Sequence, residues 1–160
     1  MITLKTEVAV QGITTQQVID FMLNCTDEEY QRWWPGTHLA FHTIQRQPRD
    51  LGNLVYFDEY VGKRRLKFHS TITELVPGKR IVWQMIKFIK LPAWLCLDCE
   101  DGPDGVTITH TMLIGFTKIG RLLDPLLALY INKGFEKELD QHAQFEFHRL
   151  GEILLAQETG

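Results

Sequence analysis

Residues 72–83 read Ile72-Thr-Glu-Leu-Val-Pro-Gly-Lys-Arg-Ile-Val-Trp83, two β-prone runs joined by Pro77-Gly78. Proline followed by glycine between two such runs is turn chemistry, so the stretch predicts a hairpin. The same punctuation recurs on both sides, at Gly52-Asn53, Gly62-Lys63 and Gly102-Pro103-Asp104-Gly105. The spacing predicts strands over 38–46, 53–61, 64–76, 80–88, 93–100 and 106–116, with a seventh over 2–10. Alternation is clearest in the last of the chain, where Val106, Ile108, His110, Met112 and Ile114 share one face and Thr107, Thr109 and Thr111 the other.

Helical signals flank this block. After Gly12, Thr14 or Thr15 caps a short helix carrying Val18, Ile19, Phe21 and Met22, and a second runs from Asp27 to Trp33 until Pro35-Gly36 stops it. Beyond Gly120 the pattern is helical to about Ala156, starting near Asp124-Pro125. At 100° per residue, Leu127, Ile131, Phe135, Leu139, Leu150 and Ile153 form one stripe, with Lys133, Lys137, Asp140 and Gln144 opposite. A curved antiparallel sheet with one apolar face must bury it, and the long terminal helix is the only element large enough. The expected class is therefore α+β: a seven-stranded sheet wrapped around that helix, with an internal cavity between them.

This order of elements resembles the START-like helix-grip superfamily (SRPBCC), which includes polyketide cyclases and the birch-pollen-allergen proteins. The 72–83 hairpin resembles one that recurs in its bacterial members. The resemblance spans nearly the whole chain and implies a single START-like domain over 1–160 that holds a small hydrophobic or aromatic molecule.

The bulk properties exclude other classes. Lys and Arg number 17 and Asp and Glu 20, a formal net charge of −3, and no basic stretch exceeds Lys63-Arg64-Arg65. Nucleic acid is not an expected partner. The apolar runs 91–97 and 122–131 fall short of the roughly 20 residues a membrane span needs. The N-terminus lacks a signal-peptide layout, and three cysteines make no disulfide framework, so the expected compartment is the cytoplasm. Cys96 and Cys99 have CxxC spacing, but on a strand they would point to opposite faces, which favours ordinary packing over zinc or redox chemistry.

Chemistry concentrates on the long helix. His142 falls at the centre of its apolar stripe, with Glu138 four residues before and Glu146 four after on the same face. Ionisable groups on a face that should be buried are costly unless paired or bound to a cation. His-x3-Glu is a spacing at which two helical side chains hold one metal ion, but the pair could equally hydrogen-bond in a wet cavity. Further ligands would come from the sheet. His38 and His42 share a parity, and so do Val55, Phe57, Glu59 and Val61, which turns Glu59 inward. The opposite parity of that strand carries Tyr56, also a common cavity residue. His110 lies on the apolar face of its strand, either as a proton donor or as a satisfied core residue. Tyr56, Trp83, His110, Tyr130, Phe135 and Glu138 are the residues expected to line the cavity, although the aromatics could instead pack the core. His69 and His148 are expected at the surface.

Two segments, Tyr30-Gln-Arg-Trp-Trp-Pro-Gly-Thr-His38 and His142-Ala-Gln-Phe-Glu-Phe-His-Arg-Leu-Gly-Glu-Ile-Leu154, resemble those of diacetylphloroglucinol and phloretin hydrolases. These helix-grip enzymes use a divalent metal, usually taken to be zinc, to hydrolyse a carbon–carbon bond. The resemblance implies a metal held by His38, Glu59, His142 and Glu146 and an acylphenol-like substrate; the leaving ring carbon would then need a proton, from His110 as the candidate catalytic residue or from solvent. Two other readings fit the same residues: a non-catalytic carrier of a hydrophobic ligand, and a metal-free polyketide cyclase or dehydratase.

Overall fold

The structure is a computed structural model that describes residues 1–116 and 133–158. Strand β1 (Ile2–Gln11) leads through helices α1 (Thr15–Asn24) and α2 (Asp27–Trp33) into β2 (His38–Gln45), β3 (Leu54–Val61), β4 (Arg64–Val76), β5 (Arg80–Lys87), β6 (Ile89–Asp101) and β7 (Gly105–Ile114). Helix α3 (Lys133–Glu158) follows. Every strand pair is antiparallel and the order is β1-β7-β6-β5-β4-β3-β2, so the first strand closes on the last rather than on the second. The result is the expected α+β helix-grip fold, a curved sheet gripping the terminal helix.

Both short helices are entered through a capping box: Thr14 with Gln17 and Thr26 with Glu29 satisfy each other's backbone N–H groups. Strand β6 starts four residues earlier than its sequence suggests. Phe88 takes a left-handed φ of 65°, which turns the chain tightly enough for Lys87 to pair with Ile89.

Helix α3 lies against β1 and packs its apolar stripe into the concave face. Phe147 and Leu150 meet Trp33, Phe41 and Trp83 in one cluster, and Phe135 and Leu139 meet Leu4, Val61 and Met112 in a second. Trp83 and Phe135 are buried in these two clusters. Tyr130, Leu127 and Ile131 lie outside the described residues.

Tyr56 departs from its expected place. It stands on the convex face, where its ring lies 5.4 Å from that of His42 and 5.3 Å from that of His69. Strand parity decides this, since its neighbours Val55 and Phe57 point into the core. His42 turns outward for a different reason. A register shift between His38 and Ala40 reverses the parity of β2, so His38 and Phe41 are both buried and His42 hydrogen-bonds Asp27 at 2.7 Å. His69 and His148 are exposed, as expected.

Candidate metal centre

Four side chains from three elements converge under the N-terminal half of the sheet. His38 enters at the start of β2, Glu59 faces it from β3, where the two are register partners, and His142 and Glu146 stand one turn apart on α3. One donor atom from each lies within 4.8 Å of every other. His38 Nε2 and His142 Nε2 are each 3.3 Å from Glu146 Oε2, and lie 3.8 and 3.6 Å from Glu59 Oε2. An ion with tetrahedral bonds of about 2.0–2.2 Å sets neighbouring donors about 3.3–3.6 Å apart, so three of these four separations match the edges of a coordination shell and the His38–Glu59 one is slightly longer. They do not read as hydrogen bonds: both Nε2 atoms are buried without a hydrogen-bonding partner among the described residues. The donor set, two imidazoles and two carboxylates, suits a borderline divalent ion such as zinc.

Electrostatics points the same way. Burial opposes ionisation of Glu146, yet His142 and His38 hold its carboxyl well below the usual carboxylate range. Burial would lower the His142 imidazole, but Glu146 and Glu59 override it and push it up to about 10. With no cation, the buried Glu146 carboxylate is balanced by a proton on the histidine; a divalent ion would supply that balance directly.

The surrounding shell fixes the donors. Tyr30 on α2 donates a 2.5 Å hydrogen bond to Glu59 Oε2, and its ring stacks on His38 with centroids 3.9 Å apart. Burial, reinforced by Glu59 and Glu146, raises the phenol pKa, so it stays protonated and remains a donor. Trp33 Nε1 donates to the backbone carbonyl of Glu146 at 2.5 Å, tying α2 to α3 at the level of the cluster. None of this was legible in the sequence, because Tyr30 and Trp33 look like core aromatics of an amphipathic helix. Their partners lie 29 and 113 positions away.

His142 also borders a cleft of about 330 Å³ that opens to solvent between α3 and the β2–β3 side of the sheet. Trp34, Tyr60 and Phe145 line it together with Glu138, the one expected cavity residue found there. The spacing of α3 carried a signal for Phe145, which lies three residues after His142; Trp34 gave none. His110 is buried on the concave face, 6.0 Å from the ring of Phe147, and its Nδ1 has no hydrogen-bonding partner among the described residues. Burial lowers its pKa, which keeps the imidazole neutral.

The sequence matches no family model and no curated protein. Solved structures do resemble it. Protein TTHA0849 from Thermus thermophilus superposes with a TM-score of 0.65 at 11% identity, covering 98% of this chain and 99% of that one. Ara h 8.0201 gives 0.62 at 9% identity, with 97% and 98% covered. Major latex-like protein 151 from Panax ginseng gives 0.54 at 10% identity, with 88% and 95% covered. At such identities the likeness establishes the fold and says nothing about individual site residues. The chain shares the helix-grip architecture of these proteins over nearly its full length.

Proposed function

We propose that the protein is a divalent-metal-dependent hydrolase that cleaves a carbon–carbon bond of an acylphenol-like substrate. The observation that carries this reading is the convergence of His38, Glu59, His142 and Glu146 with edge lengths suited to one tetrahedral ion. Held there, a divalent ion supplies Lewis acidity, polarising a ketone oxygen and lowering the pKa of water.

The chain's own residues supply the rest. The Trp34 and Phe145 rings, with centroids 4.5 Å apart, offer a flat ring an apolar wall beside His142. Tyr30 keeps Glu59 oriented. In the overall reaction water adds hydroxide to the acyl carbon, the bond to the ring breaks, and the ring carbon takes a proton. The products are a phenol and a carboxylic acid. The ring carbon takes its proton from solvent or from His110, which is buried on the concave face with an unpartnered Nδ1 and does not line the cleft.

The decisive experiment is metal content by plasma mass spectrometry, wild type beside a His142→Ala/Glu146→Ala variant. One equivalent of transition metal in the wild type and none in the variant is the expected result, followed by turnover of acylated phenols by the metal-loaded wild type alone. Wild-type protein that takes up no metal on reconstitution overturns the proposal. It would leave the broader reading, a small-molecule binding protein, which the shared fold and the aromatic cleft support.

A further inference from the structure

The hairpin between β5 and β6 ends in an apolar pair that nothing covers: Phe88 is 100% exposed and Ile89 70%. Phe88 stands at the apex with a φ of 65°, a conformation easy for glycine and strained for a bulky side chain. Neither burial nor the turn accounts for an aromatic residue there, so its use lies outside the chain. Lys87 and Lys90 flank the pair and are exposed as well. The topology sets this tip at one end of the sheet, where β3 and β5 finish and β4 and β6 begin. Lys63, Arg64, Arg65 and Lys67 join Lys87 and Lys90 there, six of the chain's 17 Lys and Arg residues, which makes this the cationic end. Three carboxylates temper it: Asp58, bonded by Arg65, Glu138, whose carboxyl lies against Gly62, and Glu59 inside the cluster. At the opposite end Arg80 is paired with Glu74 and Asp98, and Lys79 is outnumbered by Glu100, Asp101 and Asp104. The chain is therefore polarised along its strands.

We propose that this end of the protein docks on an anionic lipid surface, with Phe88 and Ile89 entering the interfacial layer and the surrounding cations meeting the headgroups. No helix among the described residues is long and apolar enough to cross a membrane, so this is surface association. The shape of the tip favours lipid over protein. A projecting hairpin buries its apolar groups at once in a medium that yields around it, whereas a protein partner must offer a matching groove. A second copy meeting the first tip to tip would set lysine against lysine. Tyr60 and Gly62, from the same end of the sheet, line the cleft beside His142. Docking thus brings that cleft close to the lipid, which then supplies its apolar ligand; only this consequence rests on the proposed function.

The test is co-sedimentation with vesicles of phosphatidylcholine alone and of an equimolar mixture with phosphatidylserine, with no metal or substrate added. Wild type is compared with Lys87→Ala/Lys90→Ala, with Phe88→Ala/Ile89→Ala, and with Lys79→Ala from the opposite end, all checked for an unchanged melting temperature. Wild type should bind the mixed vesicles far better than the neutral ones, and added salt should weaken that binding. Loss of both lysines should weaken it about 25-fold, at about fivefold for each cation near the surface. Loss of the apolar pair should weaken it by about tenfold or more, and Lys79→Ala should bind as wild type does. Brominated lipid should quench a larger share of the fluorescence in Phe88→Trp than in wild type, which reports entry of the tip. Wild type that ignores mixed vesicles, or binding that survives loss of the apolar pair, would overturn the inference. So would a wild-type dimer that Phe88→Ala/Ile89→Ala dissociates without any vesicle binding, since the tip would then belong to a second copy. Vesicle binding by protein that never takes up metal would uphold the docking surface while removing the hydrolase reading.

Discussion

Tyr30 and Glu59 are joined by a half-buried 2.5 Å hydrogen bond, and the ring that carries the donating hydroxyl is also stacked on His38. One side chain of α2 therefore orients two of the four candidate ligands, one on each of two neighbouring strands. The bonded oxygen is the same Oε2 that faces His142. Tyr30→Phe keeps the stack and deletes the donor. Zinc affinity, measured by competition with a chromophoric chelator, is expected to fall about 10–100-fold, the usual effect of losing an outer-shell partner. An unchanged affinity would mean that Glu59 is held by something else or is not a ligand.

Zinc should also stabilise the fold, because the donors come from β2, β3 and α3 and meet only in the native state. At free metal one hundred times the dissociation constant, the linkage is worth about 2.7 kcal/mol. The melting temperature of wild type should rise with added zinc, and that of His142→Ala/Glu146→Ala should not. Equal rises in both proteins would place the bound metal elsewhere.

Much of the sheet can be read from the sequence because one face is buried along every strand, so alternation and turn residues fall together. Glu59 and the His142–Glu146 pair are legible for the same reason: a charged residue on an apolar face breaks the pattern that its neighbours set. What local pattern does not carry is register. The bulge that separates His38 from His42 arises from how β2 meets β3, and no residue of β2 announces it. Tyr56 shows the reverse case, since strand parity points it outward and its suitability as a cavity residue does not change that. The partners of Tyr30, Trp33 and Glu138 are set by packing between elements far apart in sequence.

On the convex face, Arg65 makes two 2.8 Å hydrogen bonds to Asp58, whose carboxylate is buried beneath it. Those bonds hold the carboxyl below the usual range against the opposing effect of burial. A depressed folded-state pKa adds stability above the unfolded value of about 3.9, and that contribution is lost as pH falls through the folded value. The melting temperature of Asp58→Asn should therefore trail wild type most near neutral pH, with the gap closing below about pH 4. A gap that is constant from about pH 3 to pH 7 would show that the ion pair is not its source.

All three cysteines are buried and free. Burial raises each thiol, with Cys99 pushed up to about 12. Cys99 belongs to the core cluster, and strand parity sends Cys96 to the other face. Native protein should be inert to an aromatic disulfide reagent and should show three reactive thiols in denaturant. Cys96→Ala/Cys99→Ala should retain its full complement of metal. Loss of metal in that variant would transfer the site to the CxxC pair.

Helix α3 comes close to β1 at Gly151, where it carries no side chain. A Cβ on Gly151 would stand 2.3 Å from Val10 Cγ1, and the β-branched Val10 on a buried strand position has little freedom to move away. Helix propensity alone favours alanine over glycine by about 0.8–1.0 kcal/mol, so propensity and packing make opposite predictions for Gly151→Ala. Packing is expected to win, because the overlap forces either the helix or the strand to shift and both are fixed by the core around Leu150 and Ile108. The variant should melt below wild type. Combining it with Val10→Ala, which removes the opposing methyl groups, should recover part of that loss, a positive coupling in a double-mutant cycle. If Gly151→Ala alone raises the melting temperature, the contact between α3 and β1 is looser than this structure shows.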